Sequence, residues 1–308
     1  MQEQFTAQLT SCTCCPRNCR ANRLEGKGGV CRISAEIQVS HIGLHFGEEP
    51  VISGSKGSGT IFFAGCNLRC VFCQNYQISQ NFERFPPRTL TIDELANEML
   101  HLQEIGAHNI NFVSPSHMIF PMADAIRAAK ENGLFIPVVY NSNGYDSVDA
   151  LRQIRGLVDI YLPDIKYMDD LLGRRFSGVR DYAKVIPGVL REMLDQVGQL
   201  EINEDGIAMR GMLVRHLVLP GHLHNSRKCL QFLASLSPDI FVSIMSQYSP
   251  QHKAAQYPEI NRTLTQKEYD EITEYALDLG LQNAFVQELE SQEQCLPDFA
   301  QKSPFQFD

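Results

Sequence analysis

Short apolar runs alternate with longer amphipathic segments from about residue 57 onward. The runs predict buried strands, and the segments between them, with apolar side chains at helical spacing, predict helices. The predicted strands lie at about 60–64, 110–113, 135–140, 157–162, 212–219 and 240–245, with a last short strand at 284–286. Strand–helix units of this size form parallel sheets with right-handed crossovers. The pattern therefore predicts an α/β fold, an open and partial (β/α)6 TIM-like barrel of parallel strands.

Several helices have recognisable ends in the sequence. Thr91-Ile-Asp-Glu94 has the form of a capping box, and Asn132-Gly133 is a stop signal for a helix over about 119–132. Further helices are expected over about 147–155, 182–197, 226–236 and 265–279. The Pro187-Gly188 pair is expected to interrupt the second of these, because proline removes a backbone donor inside a helix.

The part of the chain before residue 57 has a different character. Residues 1–32 are rich in cysteine and short on periodic structure, and 37–44 and 50–52 resemble strands. The expected organisation is a Cys-rich N-terminal extension over 1–56, a core domain over 57–290 and a C-terminal tail over 291–308.

Three cysteines follow the first strand of the predicted barrel at C-x3-C-x2-C spacing, namely Cys66, Cys70 and Cys73. Three thiolates on one short loop can hold three corners of a cubane iron–sulfur cluster and leave the fourth iron without a ligand from the loop. An iron of this kind can bind a small molecule. The alternatives are a zinc site and a reduced structural cysteine cluster without metal. Structural zinc, however, normally takes four closed ligands, commonly from paired C-x2-C motifs. We therefore expect a [4Fe–4S] cluster on this loop.

A second group of cysteines lies near the N-terminus. Cys12, Cys15, Cys19 and Cys31 have the spacing C-x2-C-x3-C-x11-C on a loop-forming segment that contains glycine. Four thiols in this arrangement could close around one zinc ion or a second iron–sulfur cluster. Cys14 is either a spare thiol or a replacement for one of the four. A cysteine-rich cap without metal is the remaining alternative.

Composition narrows the range of partners. The 308 residues carry a net charge of −9, which argues against a nucleic-acid partner. No apolar run is long enough to cross a bilayer, and the N-terminus lacks the basic and apolar regions of a signal peptide. A cytoplasmic protein without a membrane partner is therefore expected. Ten cysteines in that compartment indicate metal or redox chemistry rather than disulfides.

Polar motifs follow successive strands of the predicted barrel. They are Ser114-Pro-Ser116-His117, Asn141-Ser142-Asn143-Gly144, Asp164-Ile-Lys166, Pro220-Gly221-His222 and Ser246-Gln247-Tyr248. In barrels of parallel strands, functional groups collect at the carboxyl ends of the strands. Asp164 and Lys166 lie two residues apart on an extended segment and so face the same side, where they could hold a zwitterionic group or form a solvated ion pair.

The Cys66-x3-Cys70-x2-Cys73 loop, with Phe72 before its last cysteine, resembles the signature loop of the radical S-adenosylmethionine (radical SAM) superfamily. The resemblance implies that the open iron binds the amine and carboxylate of SAM. Reductive cleavage of SAM would then give a 5′-deoxyadenosyl radical that takes a hydrogen atom from a substrate. The order Asn-Gly-Tyr, Leu-Pro-Asp-Ile-Lys and Val-Arg215-His-Leu-Val-Leu-Pro-Gly is similar to the pyruvate formate-lyase activating enzyme branch, over about residues 57–286.

Within that branch, the resemblance places Asn141, Ser142, Asp164, Lys166 and Arg215 around SAM. Many radical SAM proteins have a Gly-Gly-Glu after the second strand that receives the SAM amine, whereas this chain has Ser114-Pro-Ser116-His117. Ser114 and Ser116 are therefore candidates for the same task. The Cys-rich start, together with His45-Phe-Gly-Glu-Glu-Pro50, resembles a subgroup of activating-enzyme homologues. The sequence does not identify a catalytic acid or base.

Several functions remain open at this stage. The resemblance implies a radical SAM enzyme that receives electrons from a donor such as flavodoxin or ferredoxin and activates a glycyl radical enzyme. The divergent Ser-Pro-Ser-His motif leaves a small molecule or another protein as the substrate. Two other classes are an iron–sulfur redox or sensor protein and a zinc-stabilised interaction module. The series of polar motifs counts against the redox or sensor protein, because electron transport does not need it.

Overall fold

The computed structural model describes residues 3–289, 296–301 and 303–305. Cys295 lies outside these residues, as does part of the predicted C-terminal tail. The described residues form strands β1 (Ile37–His45), β2 (Ser58–Phe63), β3 (Arg88–Leu90), β4 (Ile110–Val113), β5 (Val138–Ser142), β6 (Ile160–Pro163), β7 (Glu201–Ile202), β8 (Ala208–Leu217), β9 (Phe241–Met245) and β10 (Ala284–Val286).

The α-helices of the described residues lie between and around these strands. They are α1 (Glu3–Thr10), α2 (Pro50–Ser53), α3 (Tyr76–Ser79), α4 (Ile92–Glu104), α5 (Ile119–Glu131), α6 (Val148–Gln153), α7 (Asp170–Ser177), α8 (Tyr182–Val197), α9 (Leu223–Leu236) and α10 (Gln266–Asp278). No helix of the described residues combines the length and the apolarity that crossing a membrane requires.

One curved sheet contains the strands in the order β10-β9-β8-β6-β5-β4-β2-β1-β3. The seven strands from β2 to β10 along this path are mutually parallel, whereas β1 and β3 add an antiparallel edge. The sheet is not closed, because the path ends at β3 on one side and at β10 on the other. This confirms the α/β, partial TIM-like fold and the Cys-rich N-terminal segment that precedes the sheet.

Burial follows the predicted pattern. Strands β2, β4, β5 and β6 are buried at every position, as expected for parallel strands covered on both faces. β1 belongs to the segment assigned to the N-terminal extension, yet it pairs with β2 and extends the sheet. The division of the chain at residue 57 stays a prediction.

Two local expectations are wrong. Residues 50–52 form the short helix α2 rather than a strand, because Pro50 occupies the first turn, where its fixed φ suits a helix. The helix α8 continues through Pro187 without interruption. Its apolar face, which includes Ile186, Val189 and Met193, is fully buried in the core, and this packing outweighs the hydrogen bond that proline removes.

Glu268 in α10 joins the start of its helix to two neighbouring loop segments through hydrogen bonds. Its carboxylate receives two 2.7 Å hydrogen bonds from Arg262 and one from the Gly221 backbone N–H at 3.0 Å. Thr265 and Glu268 also form a capping box at the start of α10. The hydrogen bonds from Arg262, together with those from the backbone, lower the pKa of Glu268 to about 2.

We expect Glu268→Gln to lower the free energy of unfolding by about 1 kcal/mol at neutral pH, because a bidentate ion pair is lost. The folded-state pKa lies below the unfolded value, so this stability is present above pH 4.5 and is lost as pH falls towards 2. Urea unfolding over this pH range measures the effect. The exposed Glu274→Gln on the same helix is the matched control. A difference from wild type that did not depend on pH would contradict the assignment.

Candidate active site

A cavity of about 290 Å³ lies at the carboxyl ends of the parallel strands. The thiols of Cys66, Cys70 and Cys73 belong to its wall. Six of the seven residues that the sequence analysis associated with SAM line the same cavity: Ser114, Asn141, Ser142, Asp164, Lys166 and Arg215. Ser116 is the exception, since it is buried in the short 3-10 helix after β4 and does not line the cavity.

The cysteine loop is held in place by its neighbours. The φ of Gly65 is +75°, and a Cβ at this position would lie 2.7 Å from the carbonyl oxygen of Cys31, so only glycine fits before Cys66. The Val71 N–H donates to the Phe176 carbonyl at 2.8 Å, and the Val71 carbonyl accepts from the Lys253 N–H at 2.8 Å. The loop is therefore positioned by the N-terminal segment and by segments that follow β6 and β9.

Each of the three thiols has a polar neighbour. The Asn143 side-chain amide and the Leu68 backbone N–H each donate to the Cys66 sulfur at 3.4 Å. The Ser177 hydroxyl lies 3.0 Å from the Cys70 sulfur, and the Ser79 hydroxyl lies 3.3 Å from the Cys73 sulfur. Hydrogen bonds to ligating sulfurs tune the reduction potential of an iron–sulfur cluster.

The chemistry of the three thiols is compatible with an iron–sulfur cluster. No group of three or more His, Cys, Asp or Glu side chains within the described residues is arranged to hold a metal ion. A cubane takes its thiolates at separate corners, so thiols spaced around a cavity wall suit it. Burial raises the pKa of Cys66 to about 11, that of Cys73 to about 12 and that of Cys70 in the same direction. The thiols therefore carry protons at neutral pH until a metal displaces them.

Arg215 in β8 is the centre of a buried network of charges. Its guanidinium donates to Glu48 at 2.8 Å and to the side-chain oxygen of Asn141, and it lies 3.5 Å from Asp164. Burial alone would lower the pKa of Arg215, but Glu49, Glu48 and Asp164 outweigh it and raise the pKa. The network therefore fixes Arg215 as a cation.

Asp164 and Lys166 form the second part of this network. The Lys166 ammonium donates to the Asp164 carboxylate at 2.5 Å, which confirms that both side chains face the same side. Burial would lower the pKa of Lys166, but the Asp164 carboxylate raises it, so the ammonium stays charged. The pair is 16% exposed on each side chain, so it is a cavity feature rather than a solvated ion pair.

Asn141 and Ser142 are held by different partners at the end of β5. The Asn141 amide donates to Glu48 at 3.1 Å, and the Ser142 hydroxyl donates to Asp146 at 2.7 Å. Gly144 completes this turn with a φ of +74°, and a Cβ there would lie 2.2 Å from the Asp164 carbonyl oxygen. The turn therefore packs directly against the segment that carries Asp164 and Lys166.

The sequence analysis missed Glu48 and Glu49. Both side chains are at least 93% buried and line the cavity, and Glu48 also accepts from Asn111 at 3.0 Å. Burial raises the pKa of Glu49 despite the nearby Arg215. The His45-Phe-Gly-Glu-Glu-Pro50 motif is the signal in the sequence that could have found them.

Comparison with known proteins identifies the family. The family model for the Radical SAM superfamily matches residues 60–193. The chain is 35% identical over 273 residues to uncharacterized protein MJ0674 of Methanocaldococcus jannaschii, and the match covers 86% of this chain and 74% of that protein. This chain belongs to the radical SAM superfamily. As an enzyme of this class, it has a [4Fe–4S] cluster and SAM as its implied cofactors.

More distant matches include a protein of known name and two solved structures. This chain is 24% identical over 149 residues to the pyruvate formate-lyase-activating enzyme of Clostridium pasteurianum. The match covers 45% of this chain and 60% of that protein. The fold of this chain is similar to that of Streptococcus suis SuiB bound to the precursor peptide SuiA, with a TM-score of 0.51 and 13% identity. It is also similar to methylornithine synthase, with a TM-score of 0.50 and 16% identity.

These matches cover different shares of each protein. The SuiB match covers 73% of this radical SAM enzyme and 47% of SuiB, and the methylornithine synthase match covers 74% and 63%. At this level of identity the two structures show the fold alone.

We expect Arg215→Met to lower the free energy of unfolding of the metal-free chain by about 3–5 kcal/mol, because it leaves buried carboxylates without their cation. Adding Glu49→Gln should recover part of the loss, since one of those carboxylates becomes neutral. Anaerobic urea unfolding measures both effects.

Arg210→Met is the matched control for this prediction. Arg210 lies on the same strand and, among the residues that the structure describes, donates only to the carbonyls of Val197 and Gln196, both at 3.1 Å. Its loss should cost at most about 1 kcal/mol. Equal effects of the two substitutions would show that the charge network does not stabilise the fold.

Proposed function

We propose that Cys66, Cys70 and Cys73 hold the [4Fe–4S] cluster and that the polar groups opposite them hold SAM. The observation that supports this is the single cavity that contains all three thiols and the strand-end groups Asp164, Lys166 and Arg215. When bound, the cluster and SAM supply one-electron cleavage of SAM and a carbon radical for hydrogen abstraction. Reduced flavodoxin or ferredoxin is the proposed electron donor.

The chain's own residues have defined tasks in this proposal. Lys166 offers an ammonium for a carboxylate, and Asp164 offers a carboxylate for an amine, which matches the two charges of a methionyl group. Arg215 is held in place by Glu48 and stays charged, so its position is set before any ligand arrives. Such preorganisation reduces the free-energy cost of binding.

We expect Cys70→Ala to abolish the formation of 5′-deoxyadenosine by reconstituted protein with dithionite and SAM. The iron content should fall as well, because one of three cluster ligands is removed. Cys229→Ala is the matched control, since Cys229 is fully buried in α9 and does not line the cavity. Production of 5′-deoxyadenosine by Cys70→Ala at the control rate would exclude this cluster assignment.

The proposed reaction is removal of a hydrogen atom from a glycine Cα of a glycyl radical enzyme. The order of the strand-end motifs and the match to a pyruvate formate-lyase-activating enzyme support it. The test is anaerobic incubation of the reduced protein with SAM and purified pyruvate formate-lyase. A glycyl radical signal in the electron paramagnetic resonance spectrum is expected, in proportion to the 5′-deoxyadenosine formed. 5′-Deoxyadenosine without that signal would exclude pyruvate formate-lyase as the substrate.

The second candidate substrate is a small molecule or another protein. The position of the C-terminal segment favours a small molecule enclosed in the cavity. Pro297 and Phe305 line the cavity, and the Phe305 ring lies 4.2 Å from the His45 ring, centroid to centroid. The Phe299 N–H and the Asp298 carboxylate bind the two ends of the Gln77 side-chain amide at 2.8 and 2.9 Å. The chain thus supplies part of its own cavity wall.

The substitution Phe305→Ala distinguishes a small enclosed substrate from a protein substrate. With an enclosed small substrate, we expect KM to rise and more 5′-deoxyadenosine to form without product, because part of the wall is lost. With a protein substrate that has to displace this segment, the radical yield should stay the same or rise. Phe135→Ala is the matched control, because Phe135 is 82% exposed and does not line the cavity.

A further inference from the structure

The five N-terminal cysteines lie together in a compact segment, residues 12–31, which we call the cysteine module. Four of them are buried, and Cys19 is half-buried. The Cys12 N–H donates to the Ala21 carbonyl at 3.0 Å, and the Cys12 carbonyl accepts from the Arg20 N–H at 3.1 Å. The fold therefore gathers the five cysteines in one segment, and the structure shows no disulfide among them.

The backbone of the module is unusual beside two of the cysteines. Asn18 and Arg20, on either side of Cys19, have φ values of 42° and 56°, and Arg32, which follows Cys31, has a φ of 62°. This left-handed conformation is unfavourable for residues other than glycine, and it is typical of sites where a ligand fixes the backbone. A Cβ at Gly29 would lie 2.3 Å from the Cys19 sulfur. The absence of a side chain there lets this thiol approach the segment that carries Cys31.

Arg23 is the second, independent observation. It is 1% exposed, and its guanidinium donates to the carbonyls of Ser34 and His117 and to the Cys14 sulfur, the last at 3.6 Å. Within the described ranges no carboxylate forms an ion pair with Arg23. A buried cation without a negative partner is costly, and the surrounding carbonyls and neutral thiols carry no net charge. The ionisable groups that face it are cysteines of the module.

We propose that Cys12, Cys15, Cys19 and Cys31 bind a metal–thiolate centre, separate from the Cys66 site, whose negative charge neutralises Arg23. Four thiols lose their protons to solvent as the metal binds, and four thiolates around Zn²⁺ or around a [4Fe–4S]²⁺ core leave a net charge of about −2. Zinc and an iron–sulfur cluster share this donor chemistry. Cys14 stays outside the set, as the sulfur that faces Arg23.

Binding requires a local movement of side chains. The thiols of the module do not converge on one point in the described part of the chain, so they turn inward around the metal.

The module also contacts the loop that carries the first cluster ligands. The Arg17 guanidinium donates to the Asn67 carbonyl at 2.8 Å, and Arg69 donates to the Val30 carbonyl. The Cys31 carbonyl packs against Gly65. A metal centre in the module would therefore fix the residues on both sides of Cys66.

The test is metal analysis of the full chain purified without oxygen. Wild type should carry either about one zinc or iron and sulfide beyond one four-iron cluster. Cys15→Ser should lose this extra metal, whereas Cys14→Ala and the buried control Cys229→Ala should keep it. Cys66→Ala should lose the first cluster only, so failure at that site is distinguishable from failure here. No extra metal in wild type, or loss in Cys14→Ala with retention in Cys15→Ser, would overturn the proposal.

Alkylation of Cys19 gives a second measurement if Cys15→Ser does not fold. Cys19 is the half-exposed thiol, so iodoacetamide can reach it in the native wild-type chain unless a metal holds it. We expect protection of at least about tenfold that disappears when a chelator removes zinc or when oxidation destroys an iron–sulfur cluster. Equal reactivity before and after treatment, or a disulfide from Cys12 to Cys14 or Cys19, would refute the metal site.

Discussion

Arg215 carries a positive charge into the cavity of the open barrel, and three separate parts of the chain supply its partners. Glu48 comes from the connection between β1 and α2, Asn141 from β5, and Asp164 from the end of β6. Water does not solvate a buried guanidinium, so each of its partners must be in place to stabilise the charge. The same contacts bring together the strand ends that line the cavity opposite the three thiols.

Sequence analysis predicted well those features that depend on residues close to one another along the chain. The parallel strands and the capping box at Thr91 depend on residues within a few positions, and both are confirmed. The Asp164–Lys166 pair was also predictable, because alternation along an extended segment places both side chains on one face. α2 was missed because Pro50 suits a helix start as well as a strand edge.

The roles of Glu48 and Glu49 were not predictable in the same way. Glu48 lies 167 positions from Arg215, and nothing in residues 46–50 shows that this segment faces β8. The buried arginine of the cysteine module is a similar case. Arg23 looks like any surface arginine in the sequence, and only the fold shows that its neighbours are carbonyls and thiols. In this chain, the sequence therefore does not reveal which charged residues are buried by partners that lie far away along the chain.

The aromatic contacts of residues 299–305 have a consequence for the order in which the molecule is completed. Phe299 and Phe305 pack on Phe62 of β2 and on His41 of β1, although they follow every strand of the sheet in the chain. During synthesis the thiols and the charged wall can therefore be in place while this apolar patch is still bare. A chain folded only as far as β10 would therefore leave this apolar patch uncovered beside the cavity until residues 299–305 packed over it.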